Sequence, residues 1–338
     1  MKAAVFYGKH DIRICEIPVR EPESGEATIE VAFCGVCGTD LHIYHGDEGS
    51  ATVHPPRILG HEFAGTVVKI GEDVGFLKIG DRVYVDPNIY CGVCYYCRSG
   101  KEHFCDGMVG VGVSIDGGFA QYCTLPAKTL LPVGNDLPFR EAAFLEPIAC
   151  CLHGIDLTGI TTGDRVAIIG GGTIGLIMLQ LARLAGASEL ILIEPNRNKR
   201  ELAASLGADF TYGSCEEFID NRKNNKTTRV DRVIECVGKP ETVTSAIEIA
   251  SKGATVMIFG LTSPESIVEI HPFEIFKKEL KITSSFVNPK TQARALDLLI
   301  SGRIKVDGLI SVVVPVEKLA EILSDNKYRE LTKILISF

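Results

Sequence analysis

The sequence predicts an α/β protein in two parts, one β-rich and one a doubly wound parallel sheet. Three observations predict it. The first 148 residues or so alternate short apolar runs with glycine and proline, the punctuation of antiparallel strands. From about Thr162 the rhythm changes to strand, glycine-rich turn, helix and strand. The length of 338 residues suits two domains of roughly 150 residues each.

In the β-rich part the predicted strands are Lys2 to Phe6, Glu26 to Cys34, Glu62 to Ile70, Arg82 to Val85 and Gly118 to Leu125. A long excursion from Asp86 to Asp106 holds four cysteines. The α/β part opens with a strand at Arg165 to Ile169, a helix from Ile174 to Gly186, a strand at Glu189 to Glu194 and a helix from Asn196 to Gly207. Asp231 to Cys236 and Ala254 to Phe259 are β-branched runs of the kind a buried parallel strand needs, with Ser245 to Ile249 in the helix between them. Leu280 to Phe286 is the last strand of this sheet, and right-handed crossovers make it doubly wound. The tail carries a helix (Thr291 to Ser301), a strand (Leu309 to Val314) and a closing helix and strand, all assigned to the first domain. The expected boundaries are 1–148 completed by 287–338 for the first domain, with a lobe at about 86–106, and 149–286 for the second.

Two surface features are predicted. Arg222, Lys223, Lys226 and Arg229 fall in an Asn/Thr-rich stretch and are expected to form a solvated loop. Ser266 to Ile270 reads as an edge strand that offers pairing across a two-fold axis, so a homodimer or homotetramer is expected.

Composition narrows the function. Hydrophobic residues make up 46% and charged residues 23%, as in ordinary globular proteins. The net charge of −8 and pI of about 5.6 oppose a phosphate backbone, so no nucleic-acid partner is expected. The long uncharged run Val166 to Ala182 is glycine-interrupted and shorter than the ~20 apolar residues of a membrane span. The N-terminal segment has no apolar signal region, so the expected compartment is the cytoplasm, with no membrane partner. Twelve cysteines in a reducing compartment are thiols or metal ligands rather than disulfides. Cys15, Cys34, Cys123, Cys150, Cys151, Cys215 and Cys236 read most simply as core thiols.

The tightest motif is Cys91-x2-Cys94-x2-Cys97-x7-Cys105. Four thiolates at this spacing suit a closed tetrahedral Zn²⁺ that staples a loop with little core of its own. An iron–sulfur cluster is the rival, but the ferredoxin run has three residues before its last cysteine and a proline after it. Here seven residues and Asp106 stand there, so zinc leads.

A second constellation joins Cys37-Gly38-Thr39-Asp40-Leu41-His42 to Gly60-His61-Glu62. Cys37, His61 and Glu62 are the thiolate, imidazole and carboxylate by which a catalytic zinc is held with a position left open. Thr39 places a hydroxyl beside such a metal, Asp40 is suited to orient His61, and His42 to pass a proton to solvent. Glu146 lies in an apolar run, where a carboxylate demands a metal, a water on that metal, or a cation.

The third motif, Gly170-Gly171-Gly172-Thr173-Ile174-Gly175, matches Gly-x-Gly-x-x-Gly between a predicted strand and a helix. Glycines there permit the tight turn, approach to a pyrophosphate and close helix packing. Glu194, at the end of the next strand, is placed to accept from the adenosine ribose and to repel a 2′-phosphate, which favours NAD over NADP. Arg197, three residues on, is the group that would accept a 2′-phosphate instead.

Together, in this order and over essentially the whole chain, these motifs resemble the zinc-dependent medium-chain alcohol and polyol dehydrogenases. The resemblance implies a GroES-like catalytic domain built from the N-terminal part and the tail, a Rossmann domain inserted between them, one catalytic and one structural zinc per chain, and NAD. Cys37, His61 and Glu62 match the zinc ligands of the sorbitol dehydrogenase branch, with Glu146 beside the metal as a ligand or bonded to its water. Thr39 and His42 match its proton relay. Cys37 to Tyr44 also looks like threonine dehydrogenase. Ser284 to Pro289 carries no arginine where the sorbitol enzyme has its Arg-Tyr pair, which points away from sorbitol itself. The implied reaction is hydride transfer between NAD and a secondary alcohol, foremost a polyol oxidised to a ketose. An L-threonine 3-dehydrogenase or a 2,3-butanediol-type enzyme is the alternative. A non-catalytic zinc-stapled NAD(H)-binding protein is the reading from another class, and it predicts a missing ligand or relay residue.

Overall fold

The computed structural model describes every residue except Glu48, Ser50 and 225–228. Its first ten strands are β1 (Lys2–Gly8), β2 (Asp11–Glu16), β3 (Glu26–Gly35), β4 (Arg57–Ile58), β5 (Glu62–Ile70), β6 (Arg82–Val85), β7 (Asn88–Ile89), β8 (Val109–Gly110), β9 (Tyr122–Pro126) and β10 (Leu130–Pro132). They belong to one unit, Met1–Ala149 with Gln292–Phe338. Strand β3 is its spine: antiparallel to β5 along its length and to β9 over its first half, with register shifts after Thr28 and Val31. Ala27, Ile29 and Val31 turn inward on β3 and pack with Phe63, Val67, Val83 and Leu125. Two residues apart along the strand, these three side chains share its core face. The short β7–β8 ladder closes the base of the cysteine excursion.

The second unit, Cys150–Thr291, contains β11 (Arg165–Ile169), β12 (Glu189–Ile193), β13 (Phe210–Tyr212), β14 (Arg232–Glu235), β15 (Thr255–Ile258) and β16 (Lys281–Ser284). The order is β13-β12-β11-β14-β15-β16, parallel throughout. The order reverses between β11 and β14, so the carboxyl ends of these two strands flank the crevice where open α/β sheets bind ligands. Val166 to Ile169 and Leu190 to Ile193 are buried throughout, which is why they read as continuous apolar runs without alternation.

Of the two surface expectations, the basic run is corrected here. Among the described residues Ser266 to Ile270 pairs with no strand of the same chain, and Ile267 is 83% exposed; the pairing expected of this run takes a second copy of the chain. In the basic run, Arg222 and Lys223 lie in the last turn of helix Cys215–Asn224 rather than in a loop. The Arg222 guanidinium donates to Ile249 O at 2.7 Å and Ser251 Oγ at 2.8 Å, so it ties that helix to the segment after Ile249. Lys223 pairs with Asp220, Arg229 pairs with Asp231, and Lys226 lies outside the described residues.

The chain then returns to the first unit through helix Gln292–Ile300, β17 (Ile310–Pro315) and β18 (Lys333–Ser337). Strand β18 runs parallel to β17 and antiparallel to β3, setting Leu335 opposite Gly35 and Ile336 opposite Cys34. The last residues of the sequence thus lie beside the segment that leads into Cys37. Among the described residues no helix is long and apolar enough to cross a membrane.

Candidate functional site

Strand β3 ends at Gly35, and two residues later Cys37, in extended conformation, caps helix Gly38–His45. The Cys37 N–H donates to Asp40 Oδ2 at 2.9 Å, fixing the first turn. Strand β5 pairs Glu62 with Gly35, and the positive φ of Gly60 (90°) turns His61 into the same place. A Cβ on Gly60 would press within 2.8 Å of Cys34 Sγ, so that turn requires glycine. Strand pairing and a helix cap thereby bring Cys37 Sγ, a His61 ring nitrogen and a Glu62 carboxylate oxygen within 4.8 Å of one another.

The residues fit a metal ion. A thiol, an imidazole and a carboxylate converge from separate elements, and His61 and Glu62 are buried. His61 Nδ1 and Asp40 Oδ1 lie 3.7 Å apart, buried and with no hydrogen bond to either atom. A ring nitrogen facing a buried carboxylate leaves the other nitrogen to bind the metal, with the carboxylate fixing the ring's orientation. Burial by itself pulls the His61 pKa down, but Asp40 and Cys37 outweigh it and the net shift is well upward. Burial pushes Asp40 up, offset in part by His61.

Thr39 Oγ1 is 3.7 Å from Cys37 Sγ. His42 is half-buried on the same helix, its Nδ1 3.3 Å from Asp47 Oδ2. Glu146, buried in the first turn of helix Leu145–Thr158, is close enough to raise both His61 and Lys333.

Lys333 is the functional-site residue that sequence reasoning missed. Its side chain is 3% exposed; its ammonium donates to Glu62 Oε2 and, at 3.2 Å, to Val36 O. Burial opposes its charge, but Glu62, Cys37 and Glu146 overcome that and hold its pKa above the usual lysine value. The one available signal was a lysine at the head of the apolar run Ile334–Ile336, where a charge needs a partner.

The second cluster stands apart on the lobe after β7. Cys91, Cys94, Cys97 and Cys105 place their sulfurs within 4.8 Å of one another. Cys91 Sγ accepts N–H groups from Val93 and Cys94 at 3.5 and 3.4 Å, and these donors lower its pKa to about 6. The Cys97 N–H does the same for Cys94, while desolvation pushes Cys97 up to about 12. Backbone donors aimed at sulfur stabilise thiolates, the form that binds a metal. Four sulfurs leave no open position, so this site suits a structural ion.

In the second unit, Gly170 follows β11 with φ 102°, and helix Thr173–Leu184 begins after Gly172. A Cβ on Gly175 would collide with the Gly170 carbonyl, whereas one on Gly172 would meet nothing. The first is close helix packing at Gly175, and the second is an open approach above a helix N-terminus, beside Thr173 and Ile174, of the kind a pyrophosphate needs. Glu194 follows β12 directly and accepts the Gly171 N–H at 2.7 Å. Arg197 is exposed and paired with Glu201 at 2.8 Å. The residues present fit a dinucleotide.

Residues 23–135 match the family described as alcohol dehydrogenase GroES-like domain, and residues 173–301 match zinc-binding dehydrogenase. D-arabinitol dehydrogenase 1 of Uromyces fabae is 32% identical over 98% of this chain and 96% of its own length. L-threonine 3-dehydrogenase of Pyrococcus horikoshii is 34% identical over 82% of this chain and 79% of its own. A zinc-binding dehydrogenase of Sinorhizobium meliloti 1021, solved bound to NADP, superposes with a TM-score of 0.94 at 38% identity, covering 100% of this chain and 99% of that one. Fold and site define a two-domain alcohol oxidoreductase, a GroES-like unit with a Rossmann unit. The chain belongs to the zinc-dependent medium-chain alcohol and polyol dehydrogenase family.

Proposed function

We propose that this protein oxidises a secondary alcohol of a polyol to a ketone with NAD as acceptor, the first unit carrying metal and substrate and the second the dinucleotide. The observation that carries the reading is the convergence of Cys37, His61 and Glu62, with Thr39 and His42 on the adjoining helix. The bound zinc would supply a Lewis acid that makes the alcohol acidic near neutral pH, and the bound nicotinamide would accept the hydride. Cys37, His61 and one of the carboxylates Glu62 and Glu146 would hold the ion. Thr39 takes the substrate proton and hands it to His42. Asp47 engages His42 Nδ1, which leaves Nε2 to receive that proton.

Glu194 supports NAD. Its carboxylate is buried against the fingerprint turn, and a 2′-phosphate there would meet a negative charge. The NADP of the Sinorhizobium neighbour is the rival expectation, and Arg197, turned to Glu201, is the group that would have to serve it.

The D-arabinitol enzyme supports a polyol, and the threonine enzymes support L-threonine or a vicinal diol as the second reading. A non-catalytic nucleotide binder would lack a ligand or a relay residue, and each expected one is present. The discriminating experiment follows NAD reduction across sorbitol, xylitol, arabitols, galactitol, 2,3-butanediol and L-threonine, with zinc counted on the same sample. Polyol turnover lost on chelation supports the proposal. Turnover of L-threonine alone transfers it to the second reading, and silence with one zinc per chain favours the binding module.

A homodimer is part of the same proposal. Among the described residues strand β16 has no neighbour on one edge, and Ile282 on it and Phe273 and Phe276 on helix Pro272–Lys278 are exposed. A monomer by light scattering at micromolar concentration would refute it.

A further inference from the structure

We propose that Lys333 is a positioning residue that restricts Glu62 to a single free oxygen and so keeps the catalytic metal position open to substrate. This rests on the dehydrogenase reading and deepens it. The two side chains are 3% and 2% exposed, and the Lys333 ammonium holds Glu62 Oε2. Glu62 is therefore free through Oε1 alone. A carboxylate with both oxygens free can bind an ion through either one or both; with one oxygen bonded to an ammonium it acts as a one-point donor of reduced charge.

The pair is built into the sheet. Gly35 stands between the two partners, paired with Glu62 on β5 and Leu335 on β18. A Cβ at Gly35 would lie 2.7 Å from Lys333 Cε and 3.0 Å from Nζ, and would also run into Glu62 Oε2. Glycine at this position clears the lane through which strands from opposite ends of the chain join their charges. The Val36 carbonyl takes another ammonium proton at 3.2 Å and aims the head group.

Charge balance gives the pair its purpose. Cys37, Glu62, Glu146 and buried Asp40 supply up to four negative charges around one divalent ion. Without Lys333, nothing restrains Glu62 from binding through both oxygens, which would tighten the metal while closing the position that substrate needs.

The test uses the full-length zinc enzyme and the variants Lys333→Met and Lys333→Gln. Zinc affinity is measured by competition with a chromophoric chelator, with the four-cysteine zinc as internal reference, and the cobalt-substituted proteins are read by visible absorption. The expected result is catalytic-site zinc held about tenfold more tightly, weaker cobalt bands from a higher coordination number, and a fall in kcat/KM. Zinc held equally or less tightly in the variants overturns the proposal, because loss of a merely structural ion pair would loosen the site. Lys333→Gln keeps the polar contact to Val36 O and carries the test should Lys333→Met fail to fold. Wild-type protein with one zinc per chain overturns the dehydrogenase reading itself. Two zincs in wild type with no tightening in the variants overturns only the role of Lys333.

Discussion

The Glu194 carboxylate closes the turn of the dinucleotide fingerprint: Oε2 accepts the Gly171 N–H at 2.7 Å while Oε1 accepts the Asn196 N–H at 2.9 Å. One side chain thus holds the glycine turn after β11 to the loop after β12. Gly171 is matched to it, since a Cβ there would lie 2.8 Å from Glu194 Cγ.

Removing that charge is expected to relax cofactor choice. Glu194→Gln should raise kcat/KM for NADP relative to NAD by about tenfold, the effect of roughly 1.4 kcal/mol. Steady-state rates with both cofactors measure it, and an unaltered ratio would count against the ribose role of Glu194.

Cys37→Ser and His61→Ala each remove a ligand of the three-residue cluster. Turnover should fall by at least about a thousandfold, because Lewis acidity is worth several kcal/mol of barrier. NADH binding, read by fluorescence, should persist, and zinc should drop from two per chain to one. Retained turnover in either variant would refute the catalytic metal assignment.

The four-cysteine lobe should behave differently. Tyr95 is 75% exposed and no residue of helix Tyr95–Arg98 is buried, so the lobe has little core to hold it without an ion. Cys97→Ser should release one zinc and open 86–106 to limited proteolysis, with the ligand set at Cys37 still able to bind zinc. Protease resistance equal to wild type would show that packing suffices.

Asp86 supplies a pH dependence. Burial pushes its pKa up to about 6, although the Asn88 N–H and the Gln292 side-chain amide partly offset this. The folded state therefore holds this proton more tightly than the unfolded chain. Stability contributed here is present at low pH and lost as pH rises from about 4 to about 6. Asp86→Asn should be more stable than wild type above that window, by on the order of 2 kcal/mol, with the gain fading toward pH 4. Urea titrations at several pH values test it, and a pH-independent difference would refute the assignment.

Much of the fold was legible because its signals are local. The short apolar run of β3, the uniformly apolar β11 and β12, and glycine at Gly170 each reflect the conformation of a few neighbouring residues. The run Ser266–Ile270 shows where that logic stops: residues suited to a strand form one only where a partner strand exists, and among the described residues none of this chain's strands pairs with it.

The sequence by itself determined the donor types and their spacing: four cysteines within one lobe, and Cys37, His61 and Glu62 in two short motifs. Sheet pairing decided how they meet. Lys333 reaches Glu62 across 271 positions of chain because β3 is hydrogen-bonded to β5 on one side and β18 on the other. A buried charge finds its counter-charge through register, and register is a property of the assembled sheet that no local stretch of residues contains.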